Sequence, residues 1–186
     1  MISLLDSSEL QAEGIVTDLG EARAVDLACG CGRDVVFLAM RNWGRVVGID
    51  YLSSQLERTR QLAKNNRITD EKQIEVVERD LEKDGLPLHG EKYHLITVAR
   101  YLHRPHFEQL RELLVPGGFL VYHTFMKGCE NTTIGRPRRP QFLLNENELG
   151  STFNSDSGFS IVTDEVKLIS DGRPTSFFVA QKLPES

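Results

Sequence analysis

The stretch "VDLACGCGRD", residues 25–34, places two glycines and two cysteines directly after a short apolar run. A metal-binding knuckle, a redox thiol pair and a loop kept small for a ligand would all fit this composition. Zinc ligand pairs usually follow C-x2-4-C spacing and need partner ligands elsewhere. Cys29 and Cys31 are closer than that, and Cys129 is the one further cysteine. We therefore expect no metal, and we interpret the cysteines as small packing residues of a reduced, cytoplasmic protein.

The composition is that of an ordinary globular domain. The chain has 186 residues, of which 40% are hydrophobic and 26% are charged, enough for one domain with a proper core. A formal charge of -5 disfavours a broad nucleic-acid surface but leaves room for a local basic patch. No apolar run is long enough to cross a bilayer, and "MISLLDSSEL", residues 1–10, has no basic segment before a long apolar one. We expect neither a signal peptide nor a membrane partner.

Apolar strands alternate with amphipathic helices on both sides of this loop. The predicted strands are residues 23–28, 45–50, 73–79, 93–99 and 119–125. The first helix ends near 42–44, the second begins at a cap on Ser53 or Ser54, and the third spans about 105–114 before a Pro-Gly-Gly turn at 116–118. Nearly continuous apolar strands joined by helices predict a parallel sheet that is covered on both faces.

The last third of the chain has a different pattern. After the basic loop "GRPRRPQ", residues 135–141, a short helix is predicted around 145–153. Two strands near 159–168 and 175–181 flank "SDGRP", residues 170–174, which is typical of a turn between antiparallel strands. The sequence shows no internal repeat and no second domain boundary.

The glycine loop lies where ligands bind in parallel sheets, beyond the carboxyl end of a strand. Gly30 and Gly32 allow a sharp turn and close approach of a ligand to the backbone. Asp50 ends the second strand and can accept hydrogen bonds from ribose hydroxyls, and Asp80 with Leu81 ends the third, where an adenine edge can be bound. Each aspartate alone could be a cap or turn residue, but together they predict a nucleoside pocket.

The identity of the nucleoside is narrowed by what surrounds the loop. Val35 stands where a dinucleotide fingerprint has its third glycine, and no G-K-[ST] sequence cradles phosphates. Asp26 is poorly suited to lie beside a pyrophosphate. It is better suited to a zwitterion that carries an ammonium and a sulfonium group.

These segments resemble the successive motifs of class I S-adenosylmethionine-dependent methyltransferases, in the order of that family. The matching stretches are "VDLACGCG", "GIDYLSSQLERTR", "VVERDLEKDGLPL", "YHLITVARYLH" and "LLVPGGFLVYHTF". The resemblance implies an α/β, Rossmann-like, seven-stranded sheet in the order 3-2-1-4-5-7-6, with strand seven antiparallel and helices on both faces. It implies a single domain over 1–186, with a short N-terminal segment at 1–22 and a substrate-side loop and tail hairpin at 127–186.

The resemblance also implies S-adenosylmethionine as cofactor and assigns roles to residues. Asp26 would orient the loop near the methionine part, Asp50 would hold the ribose, and Asp80 would meet the polar edge of adenine. The implied cofactor-binding residues are Asp26, Ala28, Gly30, Gly32, Asp50, Tyr51, Leu52, Asp80, Leu81 and Ala99. Tyr51 and Leu52 would pack on adenine, and Ala28 replaces a glycine of many members, a departure that we expect to cost little.

Two basic segments are candidates for binding the methyl acceptor. The first is "ARYLHRPH", residues 99–106, where Arg100 and His103 can hold an anion or take a proton. It lacks the Asn/Asp-Pro-Pro-Tyr/Phe signature of amino-group methyltransferases. The second is "GRPRRPQFLL", residues 135–144, whose arginines Arg136, Arg138 and Arg139 would form an anion-binding lid. The alternatives are packing residues and a solvated helix start in the first segment, and a flexible basic loop in the second.

The second half of the chain resembles more closely the TehB-like (tellurite-resistance) branch of small methyltransferases, which act on small oxyanions. Arg173 matches an arginine of that branch, but "VKLISDG", residues 166–172, offers no His-Arg pair, so tellurite itself is disfavoured. About twenty residues precede the first predicted strand, so we expect a substrate site that is open or completed by a partner.

The predicted function is in-line transfer of a methyl group from S-adenosylmethionine to a small anionic or thiol-like acceptor. Arg100, His103, Arg136 and Arg138 are the predicted catalytic residues. An RNA methyltransferase acting on tRNA or rRNA, and a non-catalytic cofactor-binding subunit of a complex, remain alternatives. The expected partner is a small molecule, nucleic acid is disfavoured by the net charge, and the chain is expected to be a monomer or a homodimer.

Overall fold

The seven strands of the chain form one sheet in the order β3-β2-β1-β4-β5-β7-β6. The computed structural model describes residues 20–68, 70, 72–87 and 90–184. The strands are β1 Arg23–Leu27, β2 Arg45–Asp50, β3 Ile74–Glu78, β4 Tyr93–Ala99, β5 Leu114–Phe125, β6 Phe159–Leu168 and β7 Pro174–Lys182. β1 to β5 pair in parallel, whereas β7 is antiparallel to both of its neighbours. The predicted fold class and strand order are confirmed. The short N-terminal segment is predicted at 1–22, and its residues 1–19 lie outside the described residues.

Within the described residues, five α-helices connect or flank the strands. They are α1 Arg33–Met40, α2 Ser53–Asn65, α3 Leu81–Asp84, α4 Phe107–Leu113 and α5 Glu148–Thr152. The predicted serine cap of α2 is wrong, because Leu52 is the capping residue, Ser53 is already helical and no side chain caps this end. None of the described helices is long and apolar enough to cross a bilayer.

The predicted start of the fifth strand is also wrong, and the reason is a bulge. β5 begins at Leu114, which pairs with Tyr93, and the register then shifts so that Leu95 pairs with Phe119. The Pro-Gly-Gly sequence at 116–118 supplies the extra residues of this irregularity, with Gly117 at a φ of 80°. The turn-forming composition therefore lies inside the strand rather than before it.

The central strands β1, β2 and β4 are largely apolar because both faces of the sheet are buried there, whereas the edge strand β6 is mostly exposed. In β1, Val25 and Leu27 pack into the core on one face, and Ala24 packs into a second core with Val35 and Leu38 of α1 on the other. Asp26 is the exception on this second face and is only 2% exposed. A buried carboxylate in a core strand is costly, which marks this position for a role other than packing.

The strand order places a topological switch between β1 and β4. The chain leaves β1 for β2 on one side, while β4 lies against β1 on the other, with Ala24 paired to Leu95. The connections after parallel strands part at such a point and leave a crevice beyond their carboxyl ends. The glycine loop after β1, Asp50 at the end of β2 and Arg100 after β4 all belong to this edge.

Candidate functional site

The loop between β1 and α1 is built from left-handed backbone conformations. Ala28, Gly30 and Gly32 have φ angles of 57°, 55° and 68°. The backbone N–H of Cys29 donates to the carbonyl of Ile49 at 2.9 Å, which fixes the loop to the end of β2. The side chains of Cys29 and Cys31 are not joined in a disulfide. This geometry turns the chain sharply and keeps the first strand end uncovered by large side chains.

Ala28 is a strained residue, because a left-handed conformation costs an L-residue with a Cβ about 1–2 kcal/mol. Glycine avoids this cost but loses about 0.5–1 kcal/mol of chain entropy. We expect Ala28→Gly to raise the thermal midpoint by about 2 °C, measured by scanning calorimetry. A lower midpoint in the variant would show that the methyl group of Ala28 contributes more through packing than it costs in strain.

The two glycines of the loop have different surroundings. A Cβ on Gly30 would meet no atom within 4 Å, so its side of the backbone is open. A Cβ on Gly32 would lie 2.2 Å from Cγ2 of Thr59 on α2, so that space is already filled. Both residues carry the same predicted role, close approach of a ligand to the backbone. The structure separates them, with Gly30 open to a ligand and Gly32 needed for the packing of α2.

Asp50 organises the loop through its carboxylate. Oδ2 accepts a hydrogen bond from the backbone N–H of Gly30 and Oδ1 accepts one from that of Leu52, both at 2.9 Å. Asp50 is buried, with 7% of its surface exposed. Each carboxylate oxygen can accept a second hydrogen bond, so the group retains capacity for a diol. Asp50 therefore holds the glycine loop in place as well as offering acceptors to a ligand.

Asp26 is buried beneath the same loop. Its Oδ1 accepts a hydrogen bond from the hydroxyl of Thr97 on β4 at 2.9 Å. Burial, and then the negative charge of Asp34, hold the pKa of Asp26 well above its usual range. A nearby cation would favour the ionised form. Sequence reasoning missed Thr97, and the available signal was a hydroxyl residue within an otherwise apolar strand.

The side proposed for adenine combines exposed apolar groups with a capped helix. Tyr51 and Leu52 are 63% and 39% exposed, which is unusual for side chains of this kind beside a core strand. Asp80 caps α3, because its Oδ1 accepts from the backbone N–H groups of Glu82 and Lys83. Leu81 is buried, and its carbonyl is hydrogen-bonded to Nε2 of His106 at 2.9 Å. Contact of Asp80 and Leu81 with adenine stays a prediction.

A cavity of about 780 Å³ lies beyond the ends of β4 and β5. Its lining residues are Arg100, Tyr101, Leu102, Phe125, Arg136, Pro137, Arg138, Arg139 and Phe142. The structure thus brings together Arg100, Arg136 and Arg138 from two separate segments. The fourth predicted catalytic residue, His103, lines a neighbouring cavity of about 280 Å³. The centroid of its ring is 4.4 Å from that of His106.

The four arginines of this cavity form no ion pair with a carboxylate of the described residues. Among the described residues, no carboxylate oxygen comes within 4.0 Å of the guanidinium nitrogens of Arg100, Arg136, Arg138 or Arg139. Arg100 is also held in a left-handed conformation, φ 56°, by its N–H bond to the carbonyl of His123. Several cations that face one concave surface without ion-pair partners can attract an anion.

Two further arginines hold the arginine segment, residues 135–144, at its ends. Arg104 pairs with Glu148 through Nε at 2.5 Å and Nη2 at 2.9 Å, and it donates to the carbonyls of Gln141 and Leu143. Arg173 donates to the carbonyl of Arg136 at 3.1 Å and is paired with Asp171. The segment is therefore anchored by its backbone. Nε of Arg138 donates to the carbonyl of Gly135 at 2.8 Å, which leaves its two terminal nitrogens for a ligand.

Loss of the Glu148 anchor is expected to destabilise the protein. Glu148→Ala leaves Arg104 without its carboxylate and also removes the acceptor for two donors of Asn145. We expect a loss of about 1–3 kcal/mol in the free energy of unfolding and faster proteolysis between residues 135 and 144. Glu108→Ala is the matched control, because its ion pair with Arg111 is exposed and should contribute less than about 1 kcal/mol. Equal losses in both variants would contradict the anchoring role.

Comparisons with known proteins place these features in a family. The family model described as a methyltransferase domain matches residues 24–118, more than half of the chain. The uncharacterised protein UNK4.09 of Schizosaccharomyces pombe is 27% identical over 205 residues, which is 92% of this chain and 59% of that protein. The chain thus spans about three fifths of the length of this relative.

Solved structures share the fold at low sequence identity. TehB from Haemophilus influenzae superposes with a TM-score of 0.69 at 16% identity, over 96% of this chain and 62% of TehB. Magnesium protoporphyrin IX methyltransferase from Synechocystis, solved with bound S-adenosylhomocysteine (SAH), gives 0.69 at 19% identity, over 97% and 83% of the two chains. The glycine loop after β1, the acid at the end of β2 and the strand order fit the same class. The chain belongs to the methyltransferase domain family, and it has the fold of the S-adenosylmethionine-dependent methyltransferases.

Proposed function

We propose that the protein transfers a methyl group from S-adenosylmethionine to a small anionic acceptor. The observation that carries this proposal is the cavity beyond β4 and β5, on which Arg100, Arg136 and Arg138 converge without acidic partners. The cavity adjoins the sheet edge that carries the glycine loop. An acceptor bound there would lie beside a donor held after β1 and β2.

The residues at the switch point fit this cofactor. Asp50 offers acceptors for ribose hydroxyls, the open side of Gly30 admits a ligand close to the backbone, and Tyr51 exposes a ring for stacking. Asp26, buried beneath the loop, is an acid that could pair with an ammonium group. When bound, S-adenosylmethionine supplies an activated methyl carbon on a sulfonium centre.

The chain's own contribution to transfer is alignment and exclusion of water. The arginines would hold the anion so that a lone pair of the acceptor faces the methyl carbon. Arg136 and Arg138 would hold the acceptor and Asp50 would hold the ribose, so that the chemistry supplied by the bound cofactor would be transfer of its methyl group to an acceptor lone pair, with the electron pair of the carbon–sulfur bond left on sulfur. An acceptor that is already an anion has no proton to lose, so no general base is required. A neutral acceptor would need one, and His103 in the neighbouring cavity is the candidate.

A screen with a radiolabelled methyl donor tests the proposal. The acceptors are thiols, inorganic oxyanions, organic carboxylates and bulk tRNA. We expect label in small anions, and we expect Arg136→Ala/Arg138→Ala to lower kcat/KM for that acceptor by at least about 30-fold, equivalent to about 2 kcal/mol. Arg58→Ala, an exposed arginine on α2 outside the cavity, is the matched control and should leave the rate unchanged.

The same screen decides between the alternative functions. Label in tRNA, with binding that weakens steeply as salt increases, would indicate the RNA methyltransferase instead. If the chain binds the cofactor but labels no acceptor, and labelling appears when a cellular protein fraction is added, the chain would be a subunit that depends on a partner. No contact in the described structure favours either alternative over the small anion.

A further inference from the structure

The walls of the arginine-lined cavity are aromatic as well as cationic. Tyr101, Phe125 and Phe142 line it together with Leu102 and Pro137. The ring of Phe125 is held by the guanidinium group of Arg173, which lies 4.5 Å from its centroid. Aromatic side chains at the wall of a cavity contribute contact with flat apolar groups. A free inorganic anion has no apolar surface that could contact these aromatic side chains.

The size of the cavity leads to the same conclusion. Its volume of about 780 Å³ lies within the range of roughly 300–1,000 Å³ that binds drug-sized organic ligands. An oxyanion with three or four oxygens occupies on the order of 100 Å³, taking about 30 Å³ per water-sized atom. Such an ion would satisfy the arginines and leave most of the space, including the aromatic walls, without a ligand.

The hydroxyl of Tyr101 lacks a partner inside this wall. The oxygen is buried and makes no hydrogen bond with any described residue. Burial, and then the charges of Glu82 and Asp80, raise the pKa of this phenol, so it remains a proton donor at neutral pH. Buried tyrosine hydroxyls usually have a hydrogen-bond partner. The oxygen is closed off from the cavity in this conformation, so a ligand oxygen would supply the missing acceptor once the Tyr101 ring turns towards the cavity.

We propose that the cavity binds an aromatic carboxylate that carries a second oxygen substituent, rather than an inorganic oxyanion, a thiol or an aliphatic acid. The proposal rests on the proposed function, of which it specifies the acceptor class. Arg136 and Arg138 pair with the carboxylate, because planar guanidinium groups match its two oxygens. Phe125 and Phe142 contact the aromatic body, and Tyr101 donates to the second oxygen, which makes it a specificity-determining residue.

Equilibrium binding in the presence of saturating SAH tests this assignment. The probes are 4-hydroxybenzoate, benzoate, acetate, sulfate and tellurite, titrated by calorimetry into the whole chain. We expect 4-hydroxybenzoate to bind at least 10-fold more tightly than acetate, sulfate or tellurite. Phe142→Ala should remove most of that preference while the binding of acetate stays unchanged, and Phe142→Leu serves if the alanine variant does not fold.

The tyrosine has its own matched test. Tyr101→Phe should weaken the binding of 4-hydroxybenzoate by about 10-fold and leave benzoate unchanged, a difference that general damage to the cavity would not produce. Equal effects on both probes would overturn the role of the hydroxyl. Binding of sulfate or tellurite as tight as that of the aromatic acids would overturn the proposed ligand class.

Failure of this inference can be distinguished from failure of the proposed function. If the aromatic acids bind and Arg138→Ala abolishes their binding, but no labelled methyl group is transferred to any acceptor, the ligand class stands and the methyl-transfer proposal fails. If label enters inorganic oxyanions or thiols and the aromatic acids do not bind, the methyl-transfer proposal stands and the ligand class is overturned.

Discussion

Replacing Asp50 by alanine is expected to lower the affinity for S-adenosylmethionine by at least about 100-fold, or about 2.7 kcal/mol. The carboxylate accepts the N–H groups of Gly30 and Leu52 at 2.9 Å and retains lone pairs for the ribose hydroxyls. Hydrogen bonds to a charged group contribute about 1.5–3 kcal/mol each. The variant loses these contacts to the ligand and also loosens the glycine loop. Calorimetric titration with S-adenosylmethionine and with SAH measures the effect.

Two further variants make this result specific. Asp50→Asn keeps the shape of the side chain but turns one acceptor into a donor that faces an N–H group, so an intermediate loss is expected. Asp70→Ala removes an exposed carboxylate that accepts only from the N–H of Lys72, and it should leave the affinity unchanged. Unchanged affinity in Asp50→Ala, with the fold intact by circular dichroism, would remove the ribose assignment.

Gly32→Ala is expected to cause the largest loss of stability among the loop variants, about 2–5 kcal/mol. The new Cβ would lie 2.2 Å from Cγ2 of Thr59, and the residue would be left-handed at a φ of 68°. Overpacking costs about 1–3 kcal/mol and the left-handed conformation adds about 1–2 kcal/mol. Gly30→Ala meets no atom and carries the conformational cost alone, about 1 kcal/mol. Urea unfolding monitored by circular dichroism compares the two variants.

The two glycines should also differ in cofactor binding. Gly30→Ala places a methyl group on the open side of the loop, where it should obstruct the cofactor. We therefore expect weaker S-adenosylmethionine binding, although the free energy of unfolding falls by only about 1 kcal/mol. A Thr59→Ala substitution added to Gly32→Ala removes the closest atoms and should restore part of the lost stability. Equal stability losses in the two single variants would contradict the different roles assigned to Gly30 and Gly32.

Much of the fold could be predicted from sequence because its signals are local. β2 and β4 have the predicted bounds, since a strand buried on both faces is apolar along its whole length. The sheet order came from the resemblance to a family rather than from the pattern itself. The Pro-Gly-Gly bulge of β5 was misplaced, because the same composition forms a turn or a bulge according to the strand that pairs with it.

The site could be predicted only as separate pieces. Asp50 and the glycine loop follow strands and were found by position, and the arginines were found by charge. Their convergence on one cavity depends on anchors such as Arg104 to Glu148, 44 residues apart, which no local spacing reveals. The contact of Thr59 with Gly32 is equally hidden, because it depends on how α2 packs against the loop.

The switch between β1 and β4 has a consequence for how such a chain can diversify. Apart from Ala99 at the end of β4, the residues assigned to the cofactor lie on or directly after β1 to β3, in the first half of the chain, whereas the cavity walls follow β4 and β5 and continue into the tail. Substitutions in the tail can therefore change the lining of the cavity while the glycine loop and Asp50 stay the same. Asp171 and Glu148 anchor the tail segment without contacting the glycine loop, so substitutions at these positions should alter the cavity without disturbing the loop.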